Sequence, residues 1–130
     1  MAFVLDSNIY IELERKNKKI IDELSKLKEP EIVCITAPSY SEVYYGLLAG
    51  KKSESKKELD NLNSFYLLNT TANSSRLFSE IKYGLEKSGK MIPLFDILIA
   101  SIAIDNGMTL LTTDEHFEQI PGLKIILLVL

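Results

Sequence analysis

Short apolar runs alternate along this chain with longer stretches in which apolar side chains recur every three or four positions. Residues 2–5, Ala-Phe-Val-Leu, are apolar without a break and stop at Asp6, which predicts a buried strand. A helix is expected from Ile9 to Leu13, with Asp6, Ser7 or Asn8 as the cap that accepts a free backbone N–H. Ile20, Ile21, Leu24 and Leu27 stand at helical spacing and predict a second helix over 18–28. Residues 31–36 read as the next strand. Pro38 and Ser39 open a helix that carries Tyr40, Val43, Tyr44, Leu47 and Leu48 on one stripe and ends at Gly50. A more exposed helix is expected over 53–65, a short strand over 66–68, and a helix over 72–87 with Leu77, Ile81 and Leu85 on one face. Pro93 suits a first helical position, and residues 94–104 are apolar nearly all round, which predicts a buried helix ended by Asn106-Gly107. Residues 108–112 and 124–130 are the last strands. The final one should be covered, because an exposed apolar edge invites aggregation.

Strands that alternate with helices imply a parallel sheet covered on both faces. Right-handed crossovers then give an α/β three-layer sandwich around a central parallel five-stranded sheet, with residues 1–130 as one domain. In such sheets ligands bind beyond the carboxyl ends of the strands. The side chains that follow each strand are therefore the ones to read.

Composition removes several classes of function. A hydrophobic fraction of 46% with 25% charged residues excludes disorder. One cysteine excludes a disulfide framework and a Cys-based zinc site, and one histidine, His116, excludes a His-rich zinc cluster. The first residues carry no basic leader pattern and no apolar run approaches a membrane span, so a soluble cytoplasmic protein is expected. The net charge of −3 argues against broad electrostatic binding of nucleic acid. Charge is uneven, however. Residues 91–123 contain no Lys or Arg, whereas basic residues gather over 15–28 and 51–57. Those stretches read as solvated helix faces, or as phosphate-contacting rims around an acidic centre.

Four acids fall at the informative edge. Asp6 ends the first strand, and Asp114 follows the fourth. Glu42 lies in the first turns of the helix that leaves the second strand, and Asp96 in the first turns of the helix that feeds the fourth. Each also has a local reading. Asp6 and Asp114 fit N-caps, Ser39 and Glu42 fit a capping box, and Asp96 fits a helix dipole. Taken together they are harder to explain locally. Asp96 stands in Ile92-Pro-Leu-Phe-Asp-Ile-Leu-Ile99, where an unpaired charge is costly to bury, with no basic residue near it in sequence. Glu42 and Asp96 also each head a face of small residues, Gly46 and Ala49 in one case and Ala100 and Ala103 in the other, which permits close backbone approach. Two unit charges 4 Å apart repel by about 4 kcal/mol at an effective dielectric near 20. Either some acids hold protons or a cation sits among them. An all-oxygen site selects hard cations such as Mg²⁺ or Mn²⁺, which suit phosphodiester hydrolysis.

Four blocks carry a resemblance: Val4-Leu-Asp-Ser-Asn8, Ser41-Glu-Val-Tyr-Tyr-Gly46, Pro93-Leu-Phe-Asp-Ile-Leu-Ile-Ala-Ser101 and Leu110-Leu-Thr-Thr-Asp-Glu-His-Phe117. In this order they resemble the motif blocks of PIN-domain nucleases, and most of all the VapC-type toxin ribonucleases. The resemblance implies a PIN-like fold and a metal-dependent endoribonuclease acting on RNA. It also implies a small antitoxin as partner and a homodimer. By motif match Asp6, Glu42, Asp96 and Asp114 become the catalytic, metal-binding acids, and Ser7 and Asn8 the polar residues that support Asp6. Ser7 stands where the family more often has Thr, and Thr113 where it often has Arg, so a basic substrate contact is missing there.

Other residues carry less. His116 reads as a packing or surface residue, Cys34 as a buried small hydrophobe, and Glu118 as part of a surface helix. Thr112 or Thr113 either orients a water at the metal or simply ends a strand. Tyr10, Tyr44 and Tyr45 are read as core or interface residues before base-stacking ones, and Lys51, Lys52, Lys56 and Lys57 as a solvated face before a phosphate contact. Two other functions stay open. One is a phosphatase with Asp6 as nucleophile, which normally wants a second acid where Asn8 stands. The other is a non-catalytic binding module.

Overall fold

The computed structural model describes residues 2–27, 32–50 and 55–129. Strand β1 (Ala2–Leu5) is followed by helices α1 (Ser7–Glu14) and α2 (Lys18–Ser25), then β2 (Ile32–Thr36), α3 (Ala37–Gly50) and α4 (Ser55–Asn63). Next come β3 (Tyr66–Leu68), α5 (Ala72–Lys87), α6 (Leu94–Asp105), β4 (Thr109–Thr112), a short 3-10 helix (Glu115–Gln119) and β5 (Ile125–Leu127). The five strands form one sheet in the order β3-β2-β1-β4-β5, with every pair parallel. The chain winds outward from β1 to one edge, then returns to place β4 on the other side of β1. The β1/β4 boundary is thus the topological switch point, where sheets of this type open a crevice.

Successive side chains of a strand point to opposite faces, and this sorts the core into layers. Val4, Cys34 and Leu110 face α5 and α6, where they pack with Ile81, Leu85, Ile97 and Ile99. Their neighbours Phe3, Leu5 and Leu111 face the other way, onto Ile9 and Ile20 of α1 and α2. A third cluster joins Tyr10, Ile35, Val43 and Leu62. Helix α6 is buried along Ile97 and residues 99–103, as its apolar composition predicts, while its first-turn residues Leu94 and Phe95 are exposed. Full burial of an isoleucine contributes about 1.5–3 kcal/mol, so α6 is a main support of the fold.

Several expectations need adjustment. The helix expected over 18–28 is α2, which unwinds after Ser25 through bonds from Lys26 N–H to Glu23 O and from Leu27 N–H to Leu24 O. The helix expected over 53–65 stops at Asn63, and Phe65 turns inward against Tyr10, with the rings edge to face at 5.5 Å. Lys28, Glu31, Lys51, Lys52, Ser53 and Leu130 lie outside the described residues. The stripe on α3, which reads as either core or a protein–protein surface, divides: Val43 is buried, whereas Tyr44 and Leu48 are exposed, as is Tyr45 beside them. The last strand is an edge strand of three half-buried residues, after which Leu128 is buried and Val129 is exposed. Ser39 does not cap α3. The Thr36 hydroxyl accepts the Ser39 N–H at 3.2 Å, which leaves Glu42 outside any capping box.

Candidate metal centre

Asp6 stands where β1 ends and α1 begins, and both of its oxygens are held. Oδ1 accepts the Ser7 N–H at 2.8 Å, which makes Asp6 the N-cap of α1, and Oδ2 accepts the Thr112 hydroxyl at 2.8 Å. Its backbone N–H donates to Leu111 O at 2.9 Å, so β1 and β4 are tied together beneath it. Thr112 also accepts the Asp114 N–H at 3.0 Å. One buried hydroxyl thus links the first acid to the segment that carries the last. Thr112 orients an acid here as well as ending a strand. Ser7 has a second task, since its hydroxyl donates to Glu42 Oε1 at 2.7 Å and draws the end of α3 toward α1. Asn8, expected to support Asp6, is exposed and makes no side-chain hydrogen bond among the described residues.

Asp96 lies in the first turn of α6, and its Oδ2 meets His116 Nε2 at 2.8 Å. The other ring nitrogen, Nδ1, lies 2.7 Å from Asp114 Oδ1. Asp114 in turn caps the 3-10 helix by accepting the His116 N–H at 3.2 Å. Asp96, Asp114 and His116 each place one donor atom within 4.8 Å of the others. Asp6 and Glu42 lie outside that tight group; Asp6 is close enough to feel the charge of Asp96, and Glu42 acts on Asp6. The reading of His116 as mere packing is therefore corrected: it stands between two acids of the site. Its spacing of two from Asp114 across a capped 3-10 turn was the available signal. Glu118, on the same turn, is exposed as expected.

The electrostatics link the acids in a row. Asp6 is buried, and burial raises its carboxyl to about 6. The Thr112 hydroxyl and the Ser7 N–H oppose that rise, while the charges of Asp96 and Glu42 add to it. Asp96 is also raised, first by burial and further by Asp114, with His116 pulling the other way. Asp6 thus feels Asp96 and Glu42, and Asp96 feels Asp114. Burying mutually repelling carboxylates is costly unless a cation joins them. These oxygens, with one imidazole beside them, suit a divalent cation.

The PIN domain family model matches residues 3–123. Ribonuclease VapC2 of Rickettsia felis is 30% identical over 127 residues, covering 95% of this chain and 95% of that protein. Ribonuclease VapC5 of Mycobacterium tuberculosis is 22% identical over 125 residues, covering 93% and 89%. Among solved structures, VapBC2 from Rickettsia felis bound to a promoter DNA fragment contains a chain that superposes with a TM-score of 0.85 at 28% identity, covering 97% of this chain and 98% of that one. A chain of VapBC-1 from nontypeable Haemophilus influenzae gives a TM-score of 0.81 at 20% identity, covering 98% of each, which speaks for the fold alone. A sheet that reverses at β1, acids gathered at that reversal and a family match across nearly the whole length place this chain in the PIN domain family.

Proposed function

We propose that this chain, residues 1–130 as one nuclease domain, is a divalent-metal-dependent endoribonuclease and the toxin of a toxin–antitoxin pair. The observation that carries the reading is the placement of four acids from four separate segments at the switch-point edge, with Asp6 and Asp96 both raised. The relatives named as VapC ribonucleases and the VapBC structures support the RNA substrate and a small antitoxin partner. Mg²⁺ or Mn²⁺ is the cofactor, held by Asp6, Glu42, Asp96 and Asp114. A homodimer and a cytoplasmic location complete the proposal; no described helix is long and apolar enough to cross a membrane.

What a bound divalent ion supplies is Lewis-acid chemistry: charge neutralisation on the phosphodiester and easier ionisation of water. The chain's own residues supply geometry. Asp6, gripped at both oxygens, is the fixed point of the site. Ser7 sets the direction of Glu42, and Thr112 sets the distance between Asp6 and Asp114. The phosphatase alternative gains no support, because Asn8 faces solvent where a second acid would be needed. The direct test is RNA cleavage in Mn²⁺ by the parent, Asp6→Asn and Asp96→Asn proteins. Loss of cleavage in both variants is expected, and equal cleavage by all three rejects the assignment.

A further inference from the structure

His116 is the chain's single histidine, and both of its ring nitrogens face carboxylates of the site, Nε2 toward Asp96 and Nδ1 toward Asp114. The ring is held in place from behind. The His116 N–H is tied to Asp114, and the imidazole rests against Phe117, itself buried, with ring centroids 4.8 Å apart. No Lys or Arg occurs anywhere in residues 91–123, so the two acids have only this ring from their own stretch of chain. Opposite ligands of one small divalent ion stand roughly 4.2 Å apart, from bonds of about 2.1 Å. The donor atoms of Asp96, Asp114 and His116, all within 4.8 Å, already occupy nearly that spread.

We propose that His116 is a nitrogen ligand of the metal centre and biases it toward Mn²⁺ and away from Mg²⁺. The inference rests on the metal-dependent reading above and adds a specificity determinant to it. Four carboxylates alone would make an all-oxygen site, which suits Mg²⁺ and Mn²⁺ alike. Imidazole is a softer donor than carboxylate, and Mn²⁺, the first of the transition-metal series, accepts it more readily than the strictly oxygen-seeking Mg²⁺. The chemistry of this one side chain therefore decides between two ions of the same charge.

Pulsed electron paramagnetic resonance of the full-length wild-type chain loaded with Mn²⁺ tests this without any variant. An imidazole nitrogen coupling is expected, and its absence from a Mn²⁺-loaded protein overturns the assignment of His116 while leaving the nuclease reading intact. Calorimetry with each metal alone, on wild type, His116→Gln and His116→Asn, gives the second readout. Both variants keep a polar group that can bond the acids. Mn²⁺ affinity is expected to fall at least about tenfold, and Mg²⁺ affinity by less than about threefold. Equal weakening of both metals means that His116 only holds the acids in position, and overturns the proposal. Binding of neither metal to wild type overturns this proposal and the metal-dependent reading with it.

Discussion

Asp6→Asn should stabilise the metal-free protein at pH 8 and lose that advantage at pH 4. The folded chain holds the Asp6 proton up to about pH 6, whereas an aspartate in the unfolded chain releases it near 3.8. Below pH 4 both states carry the proton and burial of the side chain costs nothing extra. As pH rises from 4 through 6 the unfolded state releases its proton first, and the fold loses stability. At about 1.4 kcal/mol per pH unit between the two values, the loss at pH 8 is about 3 kcal/mol. Asparagine cannot ionise, so it avoids that loss. It keeps an N-cap oxygen for the Ser7 N–H but offers no second oxygen to Thr112, a cost of about 1 kcal/mol. The expected net gain is about 2 kcal/mol at pH 8, seen as a rise of roughly 1 M in the urea midpoint. Urea titrations followed by circular dichroism in EDTA, at pH 4 and pH 8 on both proteins, measure it. Acids remote from Asp6 contribute equally to parent and variant and cancel in the comparison. A difference between the two proteins that is the same at both pH values refutes the argument that burial of an ionised Asp6 is the cost.

Three further outcomes are expected. Thr112→Val removes the hydroxyl that serves both Asp6 and the Asp114 N–H, and should cost about 1–3 kcal/mol in a urea titration, while Thr112→Ser stays near the parent. Ser39→Ala should be neutral or raise stability by about 1 kcal/mol, because the Ser39 hydroxyl is buried without a hydrogen-bond partner among the described residues. Adding Mn²⁺ to about 100 times its Kd should raise stability by about 2.7 kcal/mol, measured as an upward shift in melting temperature that disappears in Asp96→Asn.

The parts of this structure that depend on local pattern were readable before any coordinates. The apolar run of residues 2–5 stops at a charged residue, and β1 ends there; α5 and β3 occupy the bounds that their periodicity predicts. The proposal of the four acids follows from one topological rule, that the carboxyl ends of parallel strands share an edge. What escaped was set by side-chain reach across the fold. Ser39 and Glu42 fit a capping box in sequence, yet Thr36, one position before the helix, takes the cap and Glu42 goes to Ser7, 35 residues away. His116 looked like packing because its partner Asp96 lies 20 residues earlier, on a different element. No periodicity encodes such a meeting, since it exists only after α6 and β4 have docked.

The hydrogen bond between Thr112 and Asp6 joins positions 106 residues apart. A ribosome must therefore release a stretch that spans these 106 positions before the site's two halves can meet. An emerging chain shorter than about Asp114 lacks the last acid, and a proteolytic nick that frees β4 removes both that acid and the hydroxyl beneath Asp6. Bringing such distant positions together carries a large loop-closure cost, which slows folding. The acidic edge and the completed fold consequently arise together, so a growing or damaged copy lacks the assembled site.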